Sequence, residues 1–207
     1  MDIAAQLIPF AVVLAALTVH ECAHAWTADK LGDPTARLLG RISLNPIVHI
    51  DLFGTVLLPL IAVFSNLPIL GWAKPVPVNI SRLRHPKRDF MLVAAAGPGS
   101  NIAMAVLAAI AFHLLGGTAS LRPGLLDPVT LLYSVVGINI LLAVFNMLPI
   151  PPLDGGNVLA GLLPDSMGGL LQGLRQYGFI ILYALLLTGV LWTLVGPPYR
   201  FLQRLLL

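Results

Sequence analysis

Two histidines four residues apart, with a glutamate directly after the first, form the run HECAH at positions 20–24. On a helix turning about 100° per residue, His20 and His24 lie about 40° apart and Glu21 about 60° from His24, so one face carries all three. This is the HExxH arrangement, in which two imidazoles one turn apart bind Zn²⁺ and the glutamate takes a proton from water as general base. Cys22 is the single cysteine of the chain, which excludes an intramolecular disulfide and a cysteine-rich zinc site. The bland alternative is a polar helix end whose histidines bond to neighbouring helices. Against it stand the cost of ionisable groups inside an apolar run and the fact that Glu21 is the only glutamate present.

A catalytic zinc usually takes three protein ligands and keeps one position open. No second glutamate exists, and the pattern HExxHxxGxxH is broken because Thr27 and Lys30 occupy its glycine and final histidine positions. The third ligand is therefore another histidine or an aspartate: His49, His85, His113, Asp2, Asp29, Asp33, Asp51, Asp89, Asp127, Asp154 or Asp165. Asp29, Asp33 and Asp89 lie in polar connections, Asp51 and Asp127 precede apolar runs as helix caps would, and His85 sits in a basic loop. Asp154 differs. It stands in NMLPIPPLDGG at 146–156, directly after a long apolar run, where prolines remove backbone donors and glycines permit close approach. Backbone broken near membrane depth is tolerated where it is buried in protein or lines a wet cavity, so the segment points to a site.

The elements that must position these residues are membrane spans. The 207 residues are 57% hydrophobic and 10% charged, with a mean hydropathy of +0.90; soluble domains carry about 25% charge. Apolar runs at 3–28, 90–115, 128–149 and 177–196, with a shorter proline-containing one at 52–70, approach the roughly 20 residues a helical span needs. The first run begins with Asp2 and continues straight into HECAH, so it reads as a retained span and not a cleaved signal. The net charge of +3 comes largely from one loop, 82–88, beside an apolar run; this is a topology signal and not a nucleic-acid surface. No internal repeat or linker divides the chain, and one domain, 1–207, is expected.

HECAH together with NMLPIPPLDG at 146–155 resembles the paired signatures of the site-2 protease family of membrane metalloproteases. AGPGSN at 96–101 resembles the family's AGPxxN segment, and GRISLNP at 40–46 and GWAKPVPV at 71–78 are similar to segments of its compact bacterial and archaeal members. The resemblance covers the whole chain. It implies one zinc ion held by His20, His24 and Asp154, with Asn146 near the scissile carbonyl or its oxyanion, and cleavage within a substrate's transmembrane helix in regulated intramembrane proteolysis. The PDZ and CBS domains that many members carry are not found in this sequence.

Metal binding puts the end of run 3–28 and the start of 146–156 at one depth. A full crossing by 52–70 would place them on opposite faces, so 52–70 is expected to be a re-entrant hairpin; Pro59, Asn66 and Pro68 interrupt it and Gly54 and Gly71 bracket it. The fold class expected is an all-α polytopic membrane protein with about four to five spans, this hairpin, and short β-strands at 40–45 and 73–79 near the active site. An exposed edge there would hold an unwound substrate strand by β-addition. His49 and Trp72 lie near these segments, as a loop histidine and an interfacial tryptophan or as lining of an entrance; His113 falls near the opposite face. Lys30, Arg37, Arg41, Lys74, Arg82, Arg84, Lys87, Arg88 and Arg175 share the active-site face against Arg122, Arg200 and Arg204, which makes that face the cytoplasmic side of the cell membrane. The tail fits if 177–196 crosses only incompletely.

For Asn146 the chemical reading is a hydrogen bond to the oxyanion and the plain one an interhelical bond; Asn101 and Asn139 carry the same ambiguity. The function expected is an intramembrane zinc metalloendopeptidase whose partners are a transmembrane protein substrate and the lipid bilayer, with no nucleic acid. The rival is a membrane metal-binding or metal-transport protein using the same ligands without hydrolysis.

Overall fold

The computed structural model describes residues 3–58, 61, 71–121 and 127–207, and among them every regular element is helical. Helix α1 covers Ile3–Lys30, α2 Thr35–Leu38, α3 Pro86–Leu114, α4 Pro128–Asn146, α5 Asp154–Leu162, α6 Gly168–Leu187 and α7 Val190–Leu206. Helix α3 is central and packs against α1, α4 and α5. Its contact with α4 is built on Ala105, Ala108 and Ala109 against Val136 and Ile140; small side chains let helix backbones approach where lipid supplies no hydrophobic drive.

Helix ends follow local chemistry. Asp127 caps α4 by accepting from the Thr130 amide at 3.0 Å, with Pro128 at the first helical position. Asp51 caps the π-helical turn Leu52–Leu57 through the Phe53 and Gly54 amides. Both match the caps read from sequence. Helix α1 ends in a Schellman motif: Gly32 has φ +114, Asp33 N–H donates to Ala28 and Gly32 N–H to Asp29.

Asp33, wholly buried, then ties two loops together. It accepts from the Asn79 amide at 2.6 Å and from the Thr35 amide and hydroxyl at 3.1 and 2.5 Å. Burial alone would raise its carboxyl; the Thr35 and Asn79 hydrogen bonds and the charge of Arg82 outweigh this and hold it below its usual value. A depressed carboxyl contributes stability that is complete above the unfolded value of about 3.9 and is lost as pH falls through the folded one. Asp33→Ala, which leaves these donors unpaired, is expected to cost about 1–3 kcal/mol near neutrality and to flatten the acid limb of a melting-temperature profile recorded against pH.

Among the described residues, three helices are long and apolar enough to cross a membrane: α1 over Ile8–Lys30, α3 and α4. A fourth is reached if α6 and α7 count as one broken span. The described residues thus supply three or four of the expected four to five. The run 177–196 is not one straight helix, because the chain turns by 81° between Leu187 and Val190, at Gly189 with φ +76. Leu191 and Val195 of α7 join Leu182 and Leu186 of α6 in a core with Leu148 and Leu153. At its other end, the Leu206 carbonyl accepts from His113 and Gln203 donates to Tyr133. Helix α7 therefore descends along α4, carrying Arg200 and Arg204 toward the His113 end of α3, while α6 lies across the Asp154 end.

The expected strands are absent among the described residues. Pro75 and Pro77 have no N–H to give a ladder, and four other donors of segment 71–79 go to separate elements. Trp72 donates to Gly54 at 3.1 Å, Lys74 to His49 at 2.9 Å, Val76 to Glu21 and Asn79 to Asp33. The result is a strap bonded crosswise. At 40–45, Gly40 at φ +68 and the return of the Arg41 amide to Ala36 make a turn. Most of the expected hairpin at 52–70 lies outside the described residues. Its flanks touch: besides the Trp72–Gly54 bond, Thr55 Oγ1 donates to the Trp72 carbonyl at 2.8 Å.

Candidate metal centre

Helix α1 turns His20 and His24 toward α3 and Glu21 toward the strap, and the first residue of α5, Asp154, meets the two histidines. His20 Nε2 lies 3.1 Å and His24 Nε2 3.4 Å from Asp154 Oδ2, and the two imidazole nitrogens are 3.0 Å apart. One donor atom from each residue falls within 4.8 Å of the others, and both histidines are buried. Two imidazoles and a carboxylate form a donor set that suits a catalytic zinc.

Glycines make the convergence possible. A Cβ on Gly97 of α3 would stand 2.3 Å from His24 Nε2 and 2.6 Å from His20 Nε2; one on Gly155 would stand 2.3 Å from the Met147 carbonyl, and one on Gly178 1.8 Å from that of Pro151. The proline-rich loop is thus folded tightly enough to bring Asp154 to α1. Gly97→Ala keeps a good helix former on α3 but drives a methyl between the imidazoles. Zinc affinity in a competition titration is expected to fall by at least about tenfold, in the range that loss of an outer partner costs.

Each imidazole is held by its far nitrogen. His24 Nδ1 donates to the Val93 carbonyl at 2.6 Å and His20 Nδ1 to Asn101 Oδ1 at 2.7 Å, which leaves both Nε2 lone pairs facing Asp154. Glu21 is 9% exposed and its Oε2 accepts from the Val76 amide of the strap at 3.1 Å. Arg41, itself buried, donates to the Lys74 carbonyl. Burial lowers the Arg41 guanidinium from its usual value and the Glu21 charge opposes that shift.

Around these groups lies a cavity of about 530 Å³ with the strap, α3, α4 and α6 as walls. Trp72, Phe90, Phe145, Phe179 and Tyr183 give it an apolar lining, and Asn146 and Asn157 face it beside the metal-site residues. Asn146 Nδ2 donates within its own helix, to Leu142 at 3.0 Å. Trp72 also makes an edge contact with Phe179, centroids 6.1 Å apart, so it lines the cavity, as one sequence reading had it. His49 does not: it is 2% exposed, with Nε2 on the Ser43 carbonyl. His113 lies at the far end of α3, away from the site.

Sequence reasoning weighed Asn101 and Asn139 for the oxyanion and missed what they do here. Asn101 bonds to His20 and to Asn139, and both are wholly buried. The signal was their position, as polar residues inside the two long apolar runs 90–115 and 128–149.

Residues 118–189, which include Asn146 and Asp154, match the model of "Peptidase family M50". The "Putative zinc metalloprotease YwhC" of Bacillus subtilis is 38% identical over 206 residues, covering 92% of this chain and 88% of that protein. Proteins of the same description named Rip2 are 31% identical in Mycolicibacterium smegmatis and 29% in Mycobacterium tuberculosis, each covering 86% of this chain and 66% of the relative. No solved structure matches the chain significantly. With its two motifs folded into one cluster and a relative of this identity along nearly its whole length, the chain belongs to peptidase family M50, the site-2 protease family.

Proposed function

We propose that the protein is an intramembrane zinc metalloendopeptidase that hydrolyses a peptide bond within or near a transmembrane helix of a membrane-protein substrate. The observation that carries this is the convergence of His20, His24 and Asp154 on one point, with Glu21 in the same apolar-walled cavity between helices long enough to span a bilayer. Residues 1–207 act in this reading as one peptidase domain.

His20 and His24 through Nε2 and Asp154 through Oδ2 would hold zinc, which when bound polarises the scissile carbonyl and makes water more acidic. Glu21 takes the water proton and passes it to the leaving amine. The Val76 amide keeps one carboxylate oxygen occupied and leaves the other for the proton. Asn146, at the cavity wall, turns an amide N–H to the oxyanion. A helical substrate carbonyl is covered by its own hydrogen bond, so the substrate unwinds before it is cut. The strap is the surface for it: Trp72, Lys74 and Val76 bond to the protein, while the Ala73, Pro75 and Pro77 carbonyls lie on the alternate edge. Because the two prolines cannot donate, the substrate backbone supplies most of the N–H groups.

The bonded flanks of 52–70 support a re-entrant hairpin, since a chain that leaves at Thr55 and returns at Trp72 has made no net crossing. The basic residues of the site face support a cytoplasmic orientation in the cell membrane, with Arg200 and Arg204 opposite. The test is reconstitution with zinc in liposomes together with a panel of single-span proteins. Fragments ending inside the apolar span, abolished by a chelator and restored by zinc, are expected. Zinc bound without any fragment across the panel, and zinc flux instead, would overturn the proposal in favour of a transport protein.

A further inference from the structure

The two imidazoles are held in the same tautomer by different means. His24 Nδ1 reaches a backbone carbonyl directly, that of Val93 on α3. His20 Nδ1 reaches a side-chain amide, Asn101 Oδ1, and an amide turned the other way would present an N–H there and force the imidazole proton onto Nε2. Something must fix which way Asn101 faces.

We infer that Asn139 is that group: a positioning residue that sets the His20 tautomer through Asn101. The polarity of the chain starts at a group that can only accept. The Val135 carbonyl of α4 takes the Asn139 Nδ2–H at 2.9 Å, which turns Asn139 Oδ1 toward α3. Asn101 therefore presents Nδ2 to it, at 2.9 Å, with the Ala16 carbonyl 3.4 Å from the same nitrogen. Asn101 Oδ1 is left for His20, so the imidazole carries its proton on Nδ1 and keeps the Nε2 lone pair for a metal.

Asn101 and Asn139 are both 0% exposed, so water does not replace a lost partner. A reversed Asn101 amide would leave its oxygen facing the Asn139 Oδ1 and the Ala16 carbonyl, acceptor against acceptor, which the low dielectric makes costly. Three spans, α1, α3 and α4, are tied to one proton position by this relay. Outer-shell partners of this kind typically change metal affinity by about 10–100-fold. The inference rests on His20 being a ligand but is tested without metal.

The experiment reads the His20 tautomer by ¹⁵N NMR of the metal-free full chain carrying His24→Ala and Asp154→Ala, which removes the two groups that face His20 Nε2 at 3.0 and 3.1 Å, and reads Co²⁺ affinity by titration of the chain that keeps both. With Asn101 and Asn139 in place, a proton on Nδ1 is expected; one found mainly on Nε2 would overturn the relay whatever any variant does. Asn139→Ala is expected to give a tautomer mixture and about 10–100-fold weaker Co²⁺ binding. The discriminating variant is Asn101→Asp with Asn139→Ala. A carboxylate has no wrong way round, so Asn139 becomes dispensable and the Nδ1–H tautomer returns. An unchanged tautomer in Asn139→Ala, or a mixture that Asn101→Asp fails to restore, would show Asn139 to be mere packing. The expected tautomer, together with no metal affinity in the chain that keeps His24 and Asp154, would sink the zinc reading and leave the relay standing.

Discussion

Glu21→Gln is expected to lower cleavage of a transmembrane substrate by about 10²–10⁴-fold, the usual contribution of a positioned acid–base group, while zinc affinity stays within a few-fold of wild type. The amide fills the same volume, and its oxygen can still accept from the Val76 N–H that holds the carboxylate at 3.1 Å. It cannot take a proton from water. Because Glu21 is not among the converging ligand atoms, a matching loss of zinc would show it to be a ligand and not the base. Product release from labelled substrate in liposomes and zinc titration of the same preparation separate the two.

Asp154→Ala should act on the metal itself. Two imidazoles on one helix turn remain, but the third donor is gone, and the loss of affinity is expected to exceed the roughly 10–100-fold that outer-shell changes bring. The fold around it is held independently. Leu153 N–H donates to Ile150 at 2.9 Å and Gly156 N–H to Leu153 at 3.0 Å, and Leu148 and Leu153 stay in the core with α6 and α7. Ligand binding to the native state raises its stability with ligand concentration. Zinc is therefore expected to raise the melting temperature of the wild type and to leave that of Asp154→Ala nearly unmoved, with the metal-free proteins melting close together.

These residues also mark what a linear reading carries. His20, Glu21 and His24 were legible because a helix period turns spacing into direction. Asp154 lies far along the chain, so its place at the cluster was read from a shortage of alternatives, a proline- and glycine-rich break after an apolar run, and the resemblance of that segment to the family's second signature. What escaped were features set by tertiary partners. Hydropathy ran straight through Thr188 and Gly189, since a left-handed glycine costs an apolar average nothing and yet turns the helix by 81°. The strands at 40–45 and 73–79 failed because extended backbone makes a sheet only beside a second strand. Here Glu21, His49, Gly54 and Asp33 each took one donor. Asn101 and Asn139 were visible as polar residues in spans, but which atom each faces depends on how α3 meets α1 and α4.

The identity of the metal's neighbours is the central claim, and X-ray absorption at the zinc edge of the zinc-loaded protein in liposomes reads it directly. The expected spectrum has two imidazole nitrogens at about 2.0–2.1 Å and carboxylate and solvent oxygens at about 2.0–2.2 Å. A sulfur neighbour near 2.3 Å, as Cys22 would supply, or more than two imidazoles, as recruitment of His49, His85 or His113 would give, would contradict it.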